Sequence, residues 1–248
     1  MISAKEYFEE YLTWQQKLSS LRSAATSYKS YAELELPDLT AEAEAGNPGA
    51  QEELGERYLF GISSLPQDTE KASEWLEKAA EQGHPDAMHL LSDIHRNDEY
   101  GLLDYDLYFE LLKKAAERGS WKAMFNYACA LYKGPEAYEG HGPQVDKPES
   151  LNWSSRCAFM TMNLLELFFQ NDCSNSFTEY LDGVFALFIQ SVNVSARQII
   201  RGDGVPKNRK AAKRLLNDAQ KFYSHYFGAR CSDFDTLLSH CDDEENPQ

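Results

Sequence analysis

Two stretches of this chain lie over each other almost residue for residue, and that overlap limits the fold more than any other feature. Residues 46–83 and 83–119 each open on Gly, carry Pro-x-Ala near the start and close on Lys-Ala-Ala-Glu-x-Gly or a near copy. A third copy opens at Gly119 as Gly-Ser-Trp-Lys-Ala-Met-Phe-Asn-Tyr-Ala. Self-similarity at a period of about 36 residues belongs to repeat architectures, in which each unit must stack on its neighbours to bury an apolar face. The expected fold is all-α: an α/α solenoid of helical hairpins. Solenoids present extended surfaces to other macromolecules, so binding is the leading function and catalysis the distant one.

Within a copy the pattern predicts two helices. In the first, helix A runs over about Pro48–Phe60 with Ala50, Leu54 and Tyr58 on one face. The turn 61–66 follows, and Asp68 or Thr69 caps helix B, whose inward face is Ala72, Trp75, Leu76 and Ala79. Gly46 stops the preceding helix, and Gly55 admits a close neighbour. The second copy repeats the small positions with Ala87, Ser92, Leu111 and Ala115. The third repeats them with Ala123, Ala128, Trp153 and Ala158. The third also carries an insertion, 134–146, expected as a tolerated surface loop. Before the repeats, Ser3 and Glu6 form a capping box for a long amphipathic helix, and a short helix spans 39–45. After Ala158 the pattern degrades through an apolar helix over 159–170 and a loop at 171–176. A long helix over 178–201 follows, and residues 202–219 restore the turn and helix B of a fourth copy. The division expected is a helical cap at 1–45, three repeats at 46–160, and a degenerate fourth repeat with C-terminal capping helices at 161–248.

The run Ala50-Gln-x-x-Leu-Gly-x-x-Tyr58, then Pro66-Gln-Asp68, then Lys71-Ala-x-x-Trp75-x-x-Lys-Ala-Ala-Glu-Gln-Gly83 resembles a Sel1-like repeat, a relative of the tetratricopeptide repeat. The resemblance covers roughly residues 46–160 and 199–220. It implies a right-handed superhelix with the A helices on the concave side. It also implies protein–protein interaction as an adaptor in signalling or degradation complexes, or as an immunity protein that neutralises a bacterial toxin. It brings no shared catalytic residues.

Composition narrows the partner. Lys and Arg number 24 against 40 Asp and Glu, a formal net charge of −16. That disfavours nucleic acid and anionic membrane surfaces and favours a protein with a basic surface, a toxin or effector among them. No apolar stretch opens the sequence, so a secretory leader is not expected in it, and the apolar windows 157–169 and 184–194 read as too short to span a bilayer. A cytoplasmic location is the expectation. Of the five cysteines, Cys129 and Cys157 fall in the two helices of repeat three, where a disulfide is imaginable. An odd total reads better as reduced thiols.

No residue set has the spacing of a catalytic or cofactor motif, so neither enzyme activity nor a cofactor is expected. His84, His89 and His95 with Asp86 and Asp93 suggest a metal site only weakly, because the spacing lacks the convergence zinc requires. Gly202-Asp-Gly204 before Lys207 is a repeat turn, not a phosphate loop. Lys207, Arg209, Lys210, Lys213 and Arg214 read as an exposed basic helix face. The remaining candidate is a ladder on the A helices. It comprises Glu52, Glu53 and Glu56 in copy one, His89, Leu90 and Asp93 in copy two, and Phe125, Asn126 and Cys129 in copy three. Tyr138 and His141 of the insertion join it. Acidic and aromatic groups together suit a basic, partly hydrophobic surface.

Overall fold

The computed structural model describes residues 31–32, 34–170 and 178–242. The Ser3–Glu6 capping box and its helix, the 171–176 loop, Cys173 and the acidic end after Asp242 lie outside them. Among the described residues there are ten α-helices and no strand. They are α1 (Leu36–Glu44), α2 (Pro48–Phe60), α3 (Thr69–Glu81), α4 (Pro85–Arg96), α5 (Tyr105–Glu117), α6 (Trp121–Lys133), α7 (Lys147–Gln170), α8 (Thr178–Arg201), α9 (Arg209–Phe227) and α10 (Ser232–Asp242). The chain divides into two compact units, one ending at Ala87 and the other starting at Met88.

The hairpins are built by local rules that recur in every copy. Each helix B starts on a side-chain cap that satisfies a backbone N–H no helical carbonyl can reach. Asp68 accepts from Lys71 N at 3.0 Å, Asp104 from Leu107 N at 3.0 Å, Asp146 from Glu149 N at 3.0 Å and Asn208 from Ala211 N at 2.9 Å. The same cap residue ties back to the end of helix A through its own N–H. Asp68 donates to Tyr58 O at 2.9 Å, Asp104 to His95 O at 2.8 Å, Asp146 to Leu131 O at 2.9 Å and Asn208 to Ile199 O at 3.1 Å. This latch closes turns of different length, including the long insertion. It also marks α8 and α9 as the fourth hairpin, although α8 has lost the sequence signature of a helix A. Between hairpins the chain reverses at Gly46, Gly83 and Gly119, with φ of +92°, +89° and +106°. A side chain is strained in that region, which fixes the residue type and hence the visible period.

In the first unit Leu39, Ala43, Ala50 and Leu54 form the core, flanked by Tyr31, Leu34, Leu36, Tyr58, Leu65 and Trp75. Gly55 lets α2 close on α3: a Cβ there would sit 2.7 Å from Leu76 Cγ. The small positions Ala50, Ala87 and Ala123 are all fully buried, as are Ala72, Leu76 and Ala79 on α3. Trp75 is only half-buried, with the Lys78 ammonium 3.8 Å over its ring. Its indole is thus shared between core and solvent, and Leu76 fills the inward position in its place. Leu111 in copy two is half-buried in the same register, with Leu112 inside.

In the second unit the long helices α7 and α8 pack side by side, and α8 also packs on α9 and α10. Small hydroxyl residues line the first contact, where Ser154 and Ser195 share a buried hydrogen bond of 2.9 Å. Phe188 sits edge-on to Phe222 and Phe234, with centroids 5.3 and 6.1 Å away. These contacts account for a correction. The stretch Asp182–Arg201 is long and apolar enough, by length and composition, to cross a membrane. Its apolar residues include Val184, Phe188, Val192 and Ala196, all buried inside the unit. Cys129 and Cys157 are free thiols, as the odd cysteine total suggested, and Cys157 Sγ lies 3.3 Å from Trp121 O.

Candidate functional site

In the first unit, the acidic ladder on helix A is not an exposed face. Glu52 is buried, 4% exposed, and Glu53 accepts from Arg57 Nε at 2.7 Å. Glu56 is half-buried. The guanidinium of Arg57 is itself buried and donates to three carbonyls of the preceding segment. Nη1 reaches Leu34 O at 3.0 Å, and Nη2 reaches Ala32 O at 3.0 Å and Tyr31 O at 3.3 Å. A planar fork with five donors suits such a junction better than an ammonium would. Glu52 is thus buried and Glu53 bound by Arg57, unlike the exposed ladder expected from the sequence, while Glu56 is half-buried. Sequence reading missed Arg57. Its signal was the Glu53–Arg57 spacing of one helical turn.

In the second unit the predicted residues do meet. His89, 5% exposed, stands on α4 one turn before Asp93, and its Nδ1 is 3.6 Å from Asp93 Oδ2. On α6, Asn126 Nδ2 lies 3.1 Å from His89 Nε2. With the amide donating, Nε2 is the acceptor and the ring proton sits on Nδ1, facing Asp93. Arg96 completes the row, with Nη2 3.3 Å from Asp93 Oδ1 and Cζ 5.8 Å over the Tyr108 ring. Asn126 and Phe125 are half-buried, whereas Leu90 is buried in the core. The result is a polar seam along α4 and α6, wet at Arg96 and dry at His89.

The insertion is part of this seam rather than a loose loop. Tyr138, half-buried, meets Phe109 edge-on at 4.9 Å and lies 6.2 Å from Tyr105 and 6.3 Å from Tyr108. His141 is exposed and pairs with Asp106, Nδ1 to Oδ1 at 3.1 Å, with Tyr105 5.8 Å from its ring. Such aromatic clusters contribute about 0.5–1.5 kcal/mol per ring pair beyond area burial, so the insertion is held in place. Burial pushes the Tyr108 phenol well above its usual range and raises Tyr138. Both stay protonated; Tyr108 is buried beneath the seam, and Tyr138 is half-buried above it. Arg96, Tyr105, Asp106 and Tyr108 were not picked out from sequence. Arg96 pairs with Asp93 along α4, and the folded insertion brings Tyr138 and His141 onto Tyr105, Asp106 and Tyr108.

Burial also raises the Cys129 thiol, with Lys133 opposing weakly, whereas a nucleophilic cysteine needs a lowered value. His95 Nδ1 is engaged with Leu102 O at 2.9 Å, apart from the His89 network. Among the described residues no group of three His, Cys, Asp or Glu side chains could hold a metal ion.

The model of the Sel1 repeat matches residues 48–84, 85–120, 121–156 and 200–219, just over half of the chain. A curated relative is the ERAD-associated E3 ubiquitin-protein ligase component HRD3A of Arabidopsis thaliana. It is 39% identical over 57 residues, which span 23% of this chain and 8% of HRD3A, so the chain covers a small part of that relative's length. Among solved structures, the Sel1 repeat protein from Oxalobacter formigenes is 31% identical with a TM-score of 0.43, covering 50% of this chain and 89% of its own. The protective antigen c5321 of uropathogenic Escherichia coli is 25% identical with a TM-score of 0.46, covering 86% of this chain and 50% of its own. Four matched copies, each with the same cap and latch at its A–B turn, place the chain in the Sel1 repeat family, an α/α solenoid of protein-interaction repeats.

Proposed function

We propose that this chain is a non-enzymatic adaptor that binds another protein through the seam of α4, α5, α6 and the insertion. The observation that carries the reading is the match of four Sel1 repeats, joined to a seam whose polar groups sit beside half-buried aromatics. Tyr, Arg and His edges over an apolar base are the surface type that anchors protein interfaces. Likeness over 57 residues to a component of a ubiquitin ligase supports a scaffold role in a regulatory or degradation complex. The net charge of −16 supports a basic partner and a cytoplasmic protein that binds neither nucleic acid nor membrane. The free thiols of Cys129 and Cys157 fit a reducing compartment.

A second reading, an immunity protein that occludes a toxin, draws on the same acidic charge and a compact interaction fold. Affinity capture with quantitative mass spectrometry separates the two. An adaptor retains components of a multi-protein complex, whereas an immunity protein retains one toxin and restores growth when co-expressed with it. Capture of neither class, with full recovery of folded bait, would sink both.

A further inference from the structure

Against a chain of charge −16, one cavity in the second unit is basic. It has a volume of about 440 Å³, within the range of ligand-holding clefts, and lies where α8, α9 and α10 meet. Arg197 and Arg201 of α8, Arg209 of α9 and His240 of α10 line it, with Ile200 and Leu237 as apolar walls. Arg197 and Arg201 are one helical turn apart, which puts both guanidiniums on one face. Both are exposed, and among the described residues neither is in an ion pair. Two described acids of this region make other contacts, and Arg201 also acts on Asp203 at longer range. Asp203 accepts from Tyr132 Oη at 2.9 Å and Lys147 Nζ at 3.2 Å, and Asp235 pairs with Arg230 through both carboxylate oxygens at 3.1 Å. Arg209 is half-buried, so the basic stretch 207–214 is not one uniform solvated face as the sequence suggested.

The geometry points to a second binding site at the C-terminal hairpin, for an acidic peptide segment whose anionic side chain enters the cavity at Arg197 and Arg201. Guanidinium forks match the two oxygens of a carboxylate or phosphate, and they exchange water for protein contacts at lower cost than an ammonium. Ile200 and Leu237 favour an anion carried beside an apolar residue over a free ion. The strongly negative remainder of the molecule repels bulk anions, so selection depends on contact at short range rather than on steering. This site lies outside the seam of α4–α6 and does not depend on the adaptor reading.

The test uses the full chain and fluorescence anisotropy with three labelled hexapeptides of alternating Leu and Glu, Leu and phosphoserine, or Leu and Gln, with inorganic phosphate as competitor. Saturable binding of the Glu or the phosphoserine peptide is expected, and the stronger of the two identifies the anion. R197A/R201A, at exposed positions, is expected to weaken that binding by about tenfold or more while its helical circular dichroism is unchanged. R214A, an exposed arginine on α9 that is not among the cavity's lining residues, should bind like the parent. Four results would overturn the proposal: equal binding of the Gln peptide, full binding by R197A/R201A, no saturable binding of either anionic peptide, or competition by inorganic phosphate as tight as the peptide itself.

Discussion

Replacing Arg57 by Met tests whether the helix A charges of the first unit are structural. Met keeps most of the aliphatic stem, so the change removes the guanidinium with little loss of packing. Four hydrogen bonds go with it: one to Glu53 and three to the carbonyls of Tyr31, Ala32 and Leu34. Breaking a buried ion pair from one side costs about 3–5 kcal/mol, because the partner charge stays behind. Glu53 is 17% exposed, which lets water reach it in part and places the expectation at the lower end, about 3 kcal/mol. Glu53→Gln keeps an acceptor for Arg57 and should cost only about 1 kcal/mol. Urea unfolding followed by circular dichroism gives the totals. Hydrogen exchange locates them, and the protection lost by R57M should fall in α1 and α2 and leave α7–α9 unchanged. A loss below about 0.5 kcal/mol, typical of a surface substitution, would refute the clamp and return Glu53 to the solvent.

Three further outcomes follow from the core and its caps. Leu76→Ala should cost about 2–5 kcal/mol and Trp75→Ala clearly less, because Leu76 is fully buried and Trp75 is not; the reverse order in urea melts would mean the inward face is misassigned. Gly55→Ala should cost about 1–3 kcal/mol, since its Cβ meets Leu76 Cγ at 2.7 Å, and a stabilised variant would contradict the close α2–α3 approach. His84 has its pKa lowered, chiefly by burial and against the opposing pull of Asp86, so the unfolded chain binds the proton more readily. Its contribution is present above the unfolded value near 6.5 and declines as pH falls below it, and a thermal melt series from pH 7.5 to 5 should show a shallower decline for His84→Asn than for the parent.

The repeats were legible because their geometry depends on residue types that cannot be exchanged freely. A positive φ calls for Gly at 46, 83 and 119, and a helix B start calls for Asp or Asn at 68, 104, 146 and 208. The pairing of His89 with Asn126 was also within reach, since the two stand 37 residues apart, close to one period, on successive A helices. What lies against an A helix from distant chain was not legible. Nothing in the local pattern around Glu53 says that Arg57 binds the carbonyls of Tyr31 and Ala32. The insertion misled in the same way, because loop composition carries no sign that Tyr138 packs on Phe109. In α8 the family's residue pattern is missing although the helix stays amphipathic. A long helix packed on α7, α9 and α10 carries apolar and small residues in place of the repeat's own, and it is apolar enough by length and composition to cross a membrane.

The central claim is that the α4–α6 seam binds another protein. Arg96 and Asn126 are two seam positions that solvent reaches, at an exposed and a half-buried site. Affinity capture from cell extract, read by quantitative mass spectrometry, should compare the parent chain with R96E/N126R, with the urea midpoint of the variant checked first. The account predicts a small set of proteins retained by the parent and depleted about tenfold or more on the folded variant, as loss of central anchors would give. The same proteins retained equally by both baits would contradict it and move the interface away from the seam.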